Sequence, residues 1–520
     1  MEKKSPRPSA DISADDVQLD LPDLMRAAMQ RNVAAMAIEF AGRSYPWQFA
    51  LDIARGLEEA LEKLGIAPGE RVGLIAHNRP AHVATFWGLL MARRCVTMIY
   101  GYQSQEKLAA DVTALRCPLI VADRANWTEP VIAAARAAGT AALSIGDHGI
   151  EWVAGLDHVG AGTRRDLADG IAVEILSSGT TGAPKRMGLT LSSLEATTRA
   201  NIANLTQLDA IEGGDAPQIM TMPLGNISGV YSVTPNAVMA RPIALLEKFD
   251  VELWLDLVRR YRPAMVNLVP SALTMLLMRG VTREDMASVK VIRSGTTAMD
   301  PEVHRVFAED FGIPINIMYG ASEFCGTITL WSMDELERYE AVKRGSCGRA
   351  LPGVALRVVD PESGEVLGVD RVGLLEAKVD RIGPQWIRTT DLMRIDADGF
   401  LWFVGRADDA ISRGGFKISP EQVAEALRKH PAVADAAVIG MPEPRLGQVP
   451  VAFVELRPGA AAPTASQLEA HARAHLAAHQ VPVRFVILEA LPRTLSMKIN
   501  TGHLREILAG DASSQATATP

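Results

Sequence analysis

IAVEILSSGTTGAPK, from Ile171 to Lys185, is the stretch on which the reading of this chain turns. Its first half, IAVEIL, is a short apolar run of the kind that makes a buried strand. Its second half, Ser177-Ser178-Gly179-Thr180-Thr181-Gly182-Ala183-Pro184-Lys185, gathers two glycines, four hydroxyls and a lysine into nine residues. Glycines let backbone amides approach a polyphosphate closely, hydroxyls add donors, and the lysine adds charge. The spacing is not the Gly-x4-Gly-Lys-Ser/Thr of a Walker loop. A polar surface turn is the plain alternative.

Working outward, the same strand-then-helix texture recurs. ALDIARGLEEALEKLG has apolar residues at helical spacing and stops on Gly65, and RVGLIA follows the turn APGE as a buried-strand pattern. Further on come LDLVRRY, AMVNLVP, SALTMLLMRG, VKVIRSG, VHRVFAEDFG and INIMYG. Strands alternating with helices imply a largely parallel sheet covered by helices, hence an α/β fold. After about Gly405 the texture changes to a small α+β unit. EQVAEALRKH and ASQLEAHARAHLAAH read as helices there, and AVADAAVIG, VPVAFVEL and RFVILEAL as strands. The expected division is a large N-terminal domain of helix-covered sheets, 1–405, and a smaller α+β C-terminal domain, 406–520, which the family resemblance given below implies is mobile. A chain of 520 residues is too long for one core, which agrees with two domains.

Composition excludes several classes. With 48% hydrophobic and 22% charged residues the chain reads as globular, and a net charge of -8 gives no nucleic-acid footprint. No apolar run reaches the roughly 18–20 residues of a membrane span. The lead MEKKSPRPSADISADD has no apolar stretch behind its charges, so it reads as a polar disordered segment, with GDASSQATATP matching it at the other end. Four scattered cysteines, Cys95, Cys117, Cys325 and Cys347, form no CxxC pair, which fits a reducing cytoplasm. The oligomeric state is left open, a homo-oligomer included.

SSGTTGAPK resembles the phosphate loop of the adenylate-forming superfamily: acyl-CoA synthetases, coumarate-CoA ligases, peptide-synthetase adenylation domains and beetle luciferases. Further motifs of that superfamily follow in order, from about Tyr45 to Arg505. Tyr319-Gly320-Ala321-Ser322-Glu323 resembles the aromatic-Gly-x-Thr-Glu motif, which implies that Tyr319 stacks on adenine and Glu323 holds Mg2+, with Thr180 beside it. Gly295-Thr296-Thr297 stands where the family has a strand end beside adenine and acyl group. Arg388-Thr389-Thr390-Asp391 resembles R-T-G-D, whose aspartate accepts from the ribose hydroxyls. Gly405-Arg406-Ala407-Asp408-Asp409 resembles the hinge motif, implying that Arg406 reaches the nucleotide and Asp408 is the pivot. Arg413-Gly414-Gly415-Phe416-Lys417 resembles the loop along the thiol tunnel. Leu491-Pro492-Arg493-Thr494-Leu495-Ser496-Met497-Lys498 resembles P-R-T-x-S-G-K, whose lysine is the mobile catalytic one.

The resemblance implies an ATP-dependent acyl-CoA synthetase that uses ATP, Mg2+ and coenzyme A. A carboxylate attacking a phosphate is an anion meeting an anion, so the site must neutralise charge. Lys185, Glu323 and Lys498 are the expected catalytic residues. Pro223-Leu224-Gly225-Asn226-Ile227-Ser228-Gly229 resembles the segment that walls the acid pocket, with Asn226 and Ser228 facing the acid. Phe324, Cys325 and Gly326 are expected to line or back it. A neutral Asn226 leaves an α-ammonium without a partner, which argues against an amino acid. A compact aromatic, cyclic or medium-length acid is expected over a long straight chain. The alternatives are an acyl-AMP ligase loading a carrier protein, a luciferase-like oxygenase, and a degenerate relative that binds nucleotide or acyl-CoA without catalysis.

Some family positions are altered: Arg186, Leu191, Thr390, Gln422, Ala424 and Met497. Methionine does not take up glycine-only conformations, so either the turn before Lys498 differs or the family glycine serves flexibility alone. His471, His475 and His479 share one face of a helix and read as solvated, not metal-binding. Trp331, Trp386 and Trp402 read as core, and Asp396 and Asp398 as a hairpin turn.

Overall fold

RVGLIA is the seed of the largest sheet: all six residues of the Arg71–Ala76 strand are buried. In this computed structural model the described residues are 20–147, 149–168, 170–177, 185–212, 216–413, 416–494 and 496–516. Seven strands lie in the spatial order Gly149–Trp152, Ala141–Gly146, Leu119–Asp123, Arg71–Ala76, Cys95–Tyr100, Ile171–Ser177, Lys185–Thr190. The inner pairings are parallel and the two outermost are antiparallel. Parallel strands buried on both faces need apolar residues at every position, which is why these runs do not alternate.

Helices cover the sheet. The Trp47–Lys63 helix ends as Gly65 takes a left-handed φ of 59°. The Pro80–Met91 helix is buried on every side. Their contact centres on Trp47 and Trp87, with ring centroids 5.5 Å apart. Removing a fully buried indole such as that of Trp87 would cost about 3–5 kcal/mol.

Chain contacts group the residues into two units, Met1–Asn267 with Ala321–Gly326, and Leu268–Gly320 with Thr327–Pro520. The second contains a parallel pair, Val291–Ser294 with Ile315–Ile317. It also holds an antiparallel meander of Val354–Val359, Gly373–Val379, Ile387–Ile395 and Leu401–Arg406. Beyond that lies a five-stranded sheet built on the Val433–Glu443 and Gly447–Leu456 strands. Ala436, Val438, Ala452 and Val454 pack with Val423, Leu427, Leu468 and Ala472 of two helices. Their alternates, Ala437, Ile439, Val451 and Phe453, pack with Leu491, Leu504 and Leu508. The period of two thus sends successive side chains to opposite covered faces.

Several expectations need correcting. The polar tail is helical through Ala516, because extending an established helix adds a hydrogen bond for each residue fixed. The Ala465–His475 helix stops before His479, which stacks on Phe416 instead, so the three histidines do not share a helical face. Trp331 is core, at 2% exposure, whereas Trp386 and Trp402 are half-buried beneath Arg357 and Arg394. Asp396 does close the hairpin before Leu401, accepting from the backbone N–H of Asp398 and Phe400. The polar lead, 1–16, lies outside the described residues.

Candidate active site

In the first unit, the strands Ile171–Ser177 and Lys185–Thr190 form an antiparallel hairpin in which Ser177 is paired with Lys185. The phosphate-loop motif is therefore closed at its base by this backbone pair. Ser178, Gly179, Thr180, Thr181 and Gly182 lie outside the described residues, and so does Gly415. Arg186, the family glycine position, donates to the Met98 carbonyl at 2.9 Å and so ties this hairpin to the neighbouring strand.

Asn226 precedes the Ile227–Met239 helix with extended backbone, and its side chain makes no capping bond to that helix. The turn before it is tightly constrained. A Cβ on Gly229 would come 2.1 Å from the Pro223 carbonyl oxygen, so only glycine fits. Asn78, 1% exposed, lies behind the turn. Its Oδ1 accepts from the Leu224 N–H at 2.8 Å. Its Nδ2 donates to the carbonyls of Met222 at 3.0 Å and Leu246 at 3.1 Å. Sequence reasoning missed Asn78; an Asn-Arg-Pro after a strand signals a turn and nothing more.

Ala321–Gly326 also belongs to the first unit. Glu323 is exposed there, while Phe324 is 0% exposed, so the Phe324 ring is packed inside and forms no open wall. Cys325 and Gly326 turn with φ of 52° and 117°. The Cys325 carbonyl accepts from Thr197 Oγ1, and Gly326 passes close to the Tyr231 ring.

In the second unit, three of the sequence motifs meet. Tyr319 Oη donates to Asp391 Oδ2 at 2.5 Å, and Arg406 lies 3.4 Å from Asp391 Oδ1. Asp391 and Arg406 face each other across paired strands, which brings two motifs separated in sequence side by side. Arg406 also grips Asp408 through two bonds of 3.0 Å and reaches Thr390 Oγ1 at 2.5 Å. Burial pushes the Tyr319 phenol up, and the neighbouring Asp391 pushes it further, so it remains a donor. Burial works against the Arg406 charge, yet Asp408 and Asp391 hold its pKa above the ordinary value.

Gly295 follows the Val291–Ser294 strand, and a Cβ there would come 2.9 Å from the Met318 carbonyl. Thr296 takes a φ of 74°. Lys498 follows a tight turn in which Met497 N donates to the Thr494 carbonyl and Thr494 N to the Lys498 carbonyl. Met497 itself adopts a left-handed φ of 62°, so methionine occupies the glycine conformation at the cost that L-residues bear there. Ser271 Oγ donates to its carbonyl at 2.8 Å. All four cysteines are free and buried, and burial raises the Cys95 and Cys347 thiols to about 12. Among the described residues no cluster of three or more His, Cys, Asp or Glu could hold a metal, and no helix is long and apolar enough to cross a membrane.

Comparison with known proteins gives the family. The AMP-binding enzyme family model matches residues 25–380, and that of the AMP-binding enzyme C-terminal domain matches 422–498. The chain belongs to the AMP-binding enzyme family. An indoleacetate–CoA ligase of Aromatoleum aromaticum is 27% identical, over 91% of this chain and 95% of its own. A 2-succinylbenzoate–CoA ligase of Bacillus cereus is 31% identical, over 64% of this chain and 69% of its own. The ATP-bound crystal structure of MatB from Rhodopseudomonas palustris superposes with a TM-score of 0.78 at 23% identity, covering 94% of this chain and 98% of that one, a likeness of fold. The activity is that of an ATP-dependent acyl-CoA synthetase, an acid–thiol ligase that forms AMP.

Proposed function

We propose that the residues described above divide the reaction of such a ligase as follows. Tyr319, Asp391 and Arg406 hold the nucleoside: Asp391 accepts from the ribose hydroxyls, oriented by the donors on its two oxygens. The single observation that carries this reading is the bonded series Tyr319–Asp391–Arg406–Asp408, which joins three separate motifs into one group. Lys185 and the loop it closes take the β- and γ-phosphates, and Lys498 bridges the acid carboxylate and the α-phosphate. Both lysines neutralise charge in a step where two anions must meet. The carboxylate oxygen bonds to the α-phosphorus as pyrophosphate leaves; a thiol then attacks the acyl carbon and AMP departs.

Glu323 suits the magnesium role. It is exposed and has no ion pair among the described residues, and Mg2+ characteristically takes one or two carboxylates with substrate phosphates. When bound there, the ion would neutralise the departing pyrophosphate. Asp408 is proposed as the hinge, at the boundary of a mobile domain 406–520, with Gly415 beside the thiol path. Its grip on Arg406 supports this, because the pivot and the nucleotide residue are then one unit.

The acid is proposed to be compact, aromatic, cyclic or of medium length. Support comes from the rigid Pro223–Gly229 turn, which presents Asn226 and Ser228, and from relatives named for indoleacetate and 2-succinylbenzoate. Buried thiols and the absence of a disulfide among the described residues are consistent with a cytoplasmic setting. The test is pyrophosphate release with ATP, Mg2+ and a panel of acids, followed by thioester formation with coenzyme A. Asn226→Leu should weaken an oxygenated ring acid more than its deoxygenated analogue, by about 5–10-fold in kcat/KM. ATP binding without acid-dependent pyrophosphate would leave only the non-catalytic reading.

A further inference from the structure

The seven-stranded sheet changes direction at its centre. The Arg71–Ala76 strand leads through the Pro80–Met91 helix to Cys95–Tyr100 on one side. Its other neighbour, Leu119–Asp123, leads through the Glu129–Ala138 helix to Ala141–Gly146 on the other side. The two helices pack on opposite faces of the sheet, one with Leu74 and Val121, the other with Ile75 and Ile120. Where connections from neighbouring strands diverge in this way, a crevice opens at the carboxyl ends of the strands, and ligands of α/β sheets characteristically bind there. In this protein the crevice is a cavity of about 460 Å³ within the first unit. Arg79 and His82 wall it after the first strand, Asp123 and Arg124 after the second, and Phe40 and Tyr45 give it an aromatic side. None of its wall residues belongs to the proposed nucleotide or acid site.

One wall residue has an unmet bond. His82 is 1% exposed, and its Nδ1 accepts from the His77 N–H at 3.4 Å, which puts the ring proton on Nε2. Nε2 is buried and has no hydrogen-bond partner among the described residues. Asp123 Oδ2 stands 3.9 Å from it, too far to accept its proton. Asp123 is part of the wall and His77 is not, so Nε2 is the nitrogen turned to the cavity. Burial holds the imidazole below its ordinary pKa against the pull of Asp123, so the ring is neutral and offers a single donor. A buried donor left unmet is costly, and a ligand that brings an acceptor recovers that cost.

The charges on the walls decide what kind of acceptor fits. Arg43, Arg79 and Arg124 balance Asp123, Asp147 and Glu247, so the cavity carries no net charge. The carboxylates are already engaged: Arg79 holds Asp123 at 2.8 Å and Glu247 at 2.9 Å, and Arg43 holds Asp147 at 2.5 Å. An anion brought to His82 Nε2 would meet the Asp123 carboxylate beside it. A neutral group with an acceptor next to an N–H donor would satisfy both, accepting from His82 and donating to a free lone pair of Asp123. The edge of a carboxamide, a lactam or an aminoheterocycle has that pattern. We propose that this cavity is a second ligand site, separate from the ligase centre, for a neutral ring compound that presents such an edge to His82 and Asp123.

The experiment uses the full chain and three probes of one shape, benzamide, acetophenone and benzoate, followed by saturation-transfer NMR. Ligands of about nine heavy atoms call for concentrations up to about 10 mM. Benzamide should bind about tenfold more tightly than acetophenone, which lacks the N–H donor to a carboxylate. Benzoate should displace it only at about tenfold higher concentration or more. Asp123→Ala should bring benzamide and acetophenone within about twofold of each other, and His82→Phe should weaken both by about fivefold. Where the buried His82 variant does not fold, Asp123→Ala carries the test by itself. Asn226→Leu should leave the preference as it is. Equal binding of benzamide and acetophenone by wild type, or ready displacement by benzoate, would overturn the proposal. A preference lost in Asn226→Leu and kept in Asp123→Ala would put benzamide in the acid pocket and overturn it too. Absence of binding would leave the gap between His82 and Asp123 to water alone. Benzamide has no carboxylate to activate, so each of these outcomes is independent of the ligase reading.

Discussion

Two short turns of the proposed site are held in opposite ways. The Pro223–Asn226 turn rests on the buried Asn78 amide, which bonds three separate backbone groups, and on a glycine that nothing else could replace. The turn before Lys498 has a residue in a conformation it resists, a tether from Ser271 to the Met497 carbonyl, and a bond from the Lys498 N–H to Thr494 Oγ1 within the turn itself. Burying a fully bonded amide makes a segment costly to move; a turn that stores backbone strain is cheaper to move. The first suits a wall that defines a substrate. The second suits a lysine needed in one half of a reaction and not in the other.

The sharpest way to break this contrast is Lys498→Ala. Acid-dependent pyrophosphate release should fall by about a hundredfold or more, while thioester formation from supplied acyl-AMP stays within about threefold of wild type. Equal loss of both steps would show that the lysine is fixed in place for both. Next in size is Asn78→Ala, which strands the Leu224 N–H and the Met222 and Leu246 carbonyls. It should lower unfolding stability by about 3 kcal/mol and raise the KM for the acid more than that for ATP. A change within about 0.5 kcal/mol in urea denaturation would mean that the turn is held by its glycine alone. The smallest effect is expected from Met497→Gly. Relief of a left-handed methionine is worth about 1–2 kcal/mol, against about 0.4–1 kcal/mol for the freer unfolded chain. The net gain should be under about 1 kcal/mol in melting experiments, and a loss of stability would show that the methionine side chain is itself a tether.

How much of this could be read beforehand depends on the range of the interaction. Strands such as RVGLIA and helices such as Trp47–Lys63 are legible because burial on a sheet or helix face leaves a local period. The motif residues Tyr319, Asp391 and Arg406 were legible one by one, but their bonding to each other was not, because it depends on strands brought into register far along the chain. Asn78 and Ser271 carry no local signal: each is an ordinary polar residue whose role exists only through distant backbone groups. Met497 was visible as a departure, yet sequence could not say that the turn would keep its left-handed form.

The six residues Ala321–Gly326 belong to the first unit although the chain on both sides of them belongs to the second. On the ribosome this imposes an order of events. The first unit's sequence is otherwise complete at Asn267, but Cys325, which packs in its core, emerges only with the 59 residues from Leu268 to Gly326. At about 5–20 residues per second that is a delay of roughly 3–12 s, during which the nascent first unit waits, with the space for Cys325 unfilled, for a piece that the second half of the chain delivers.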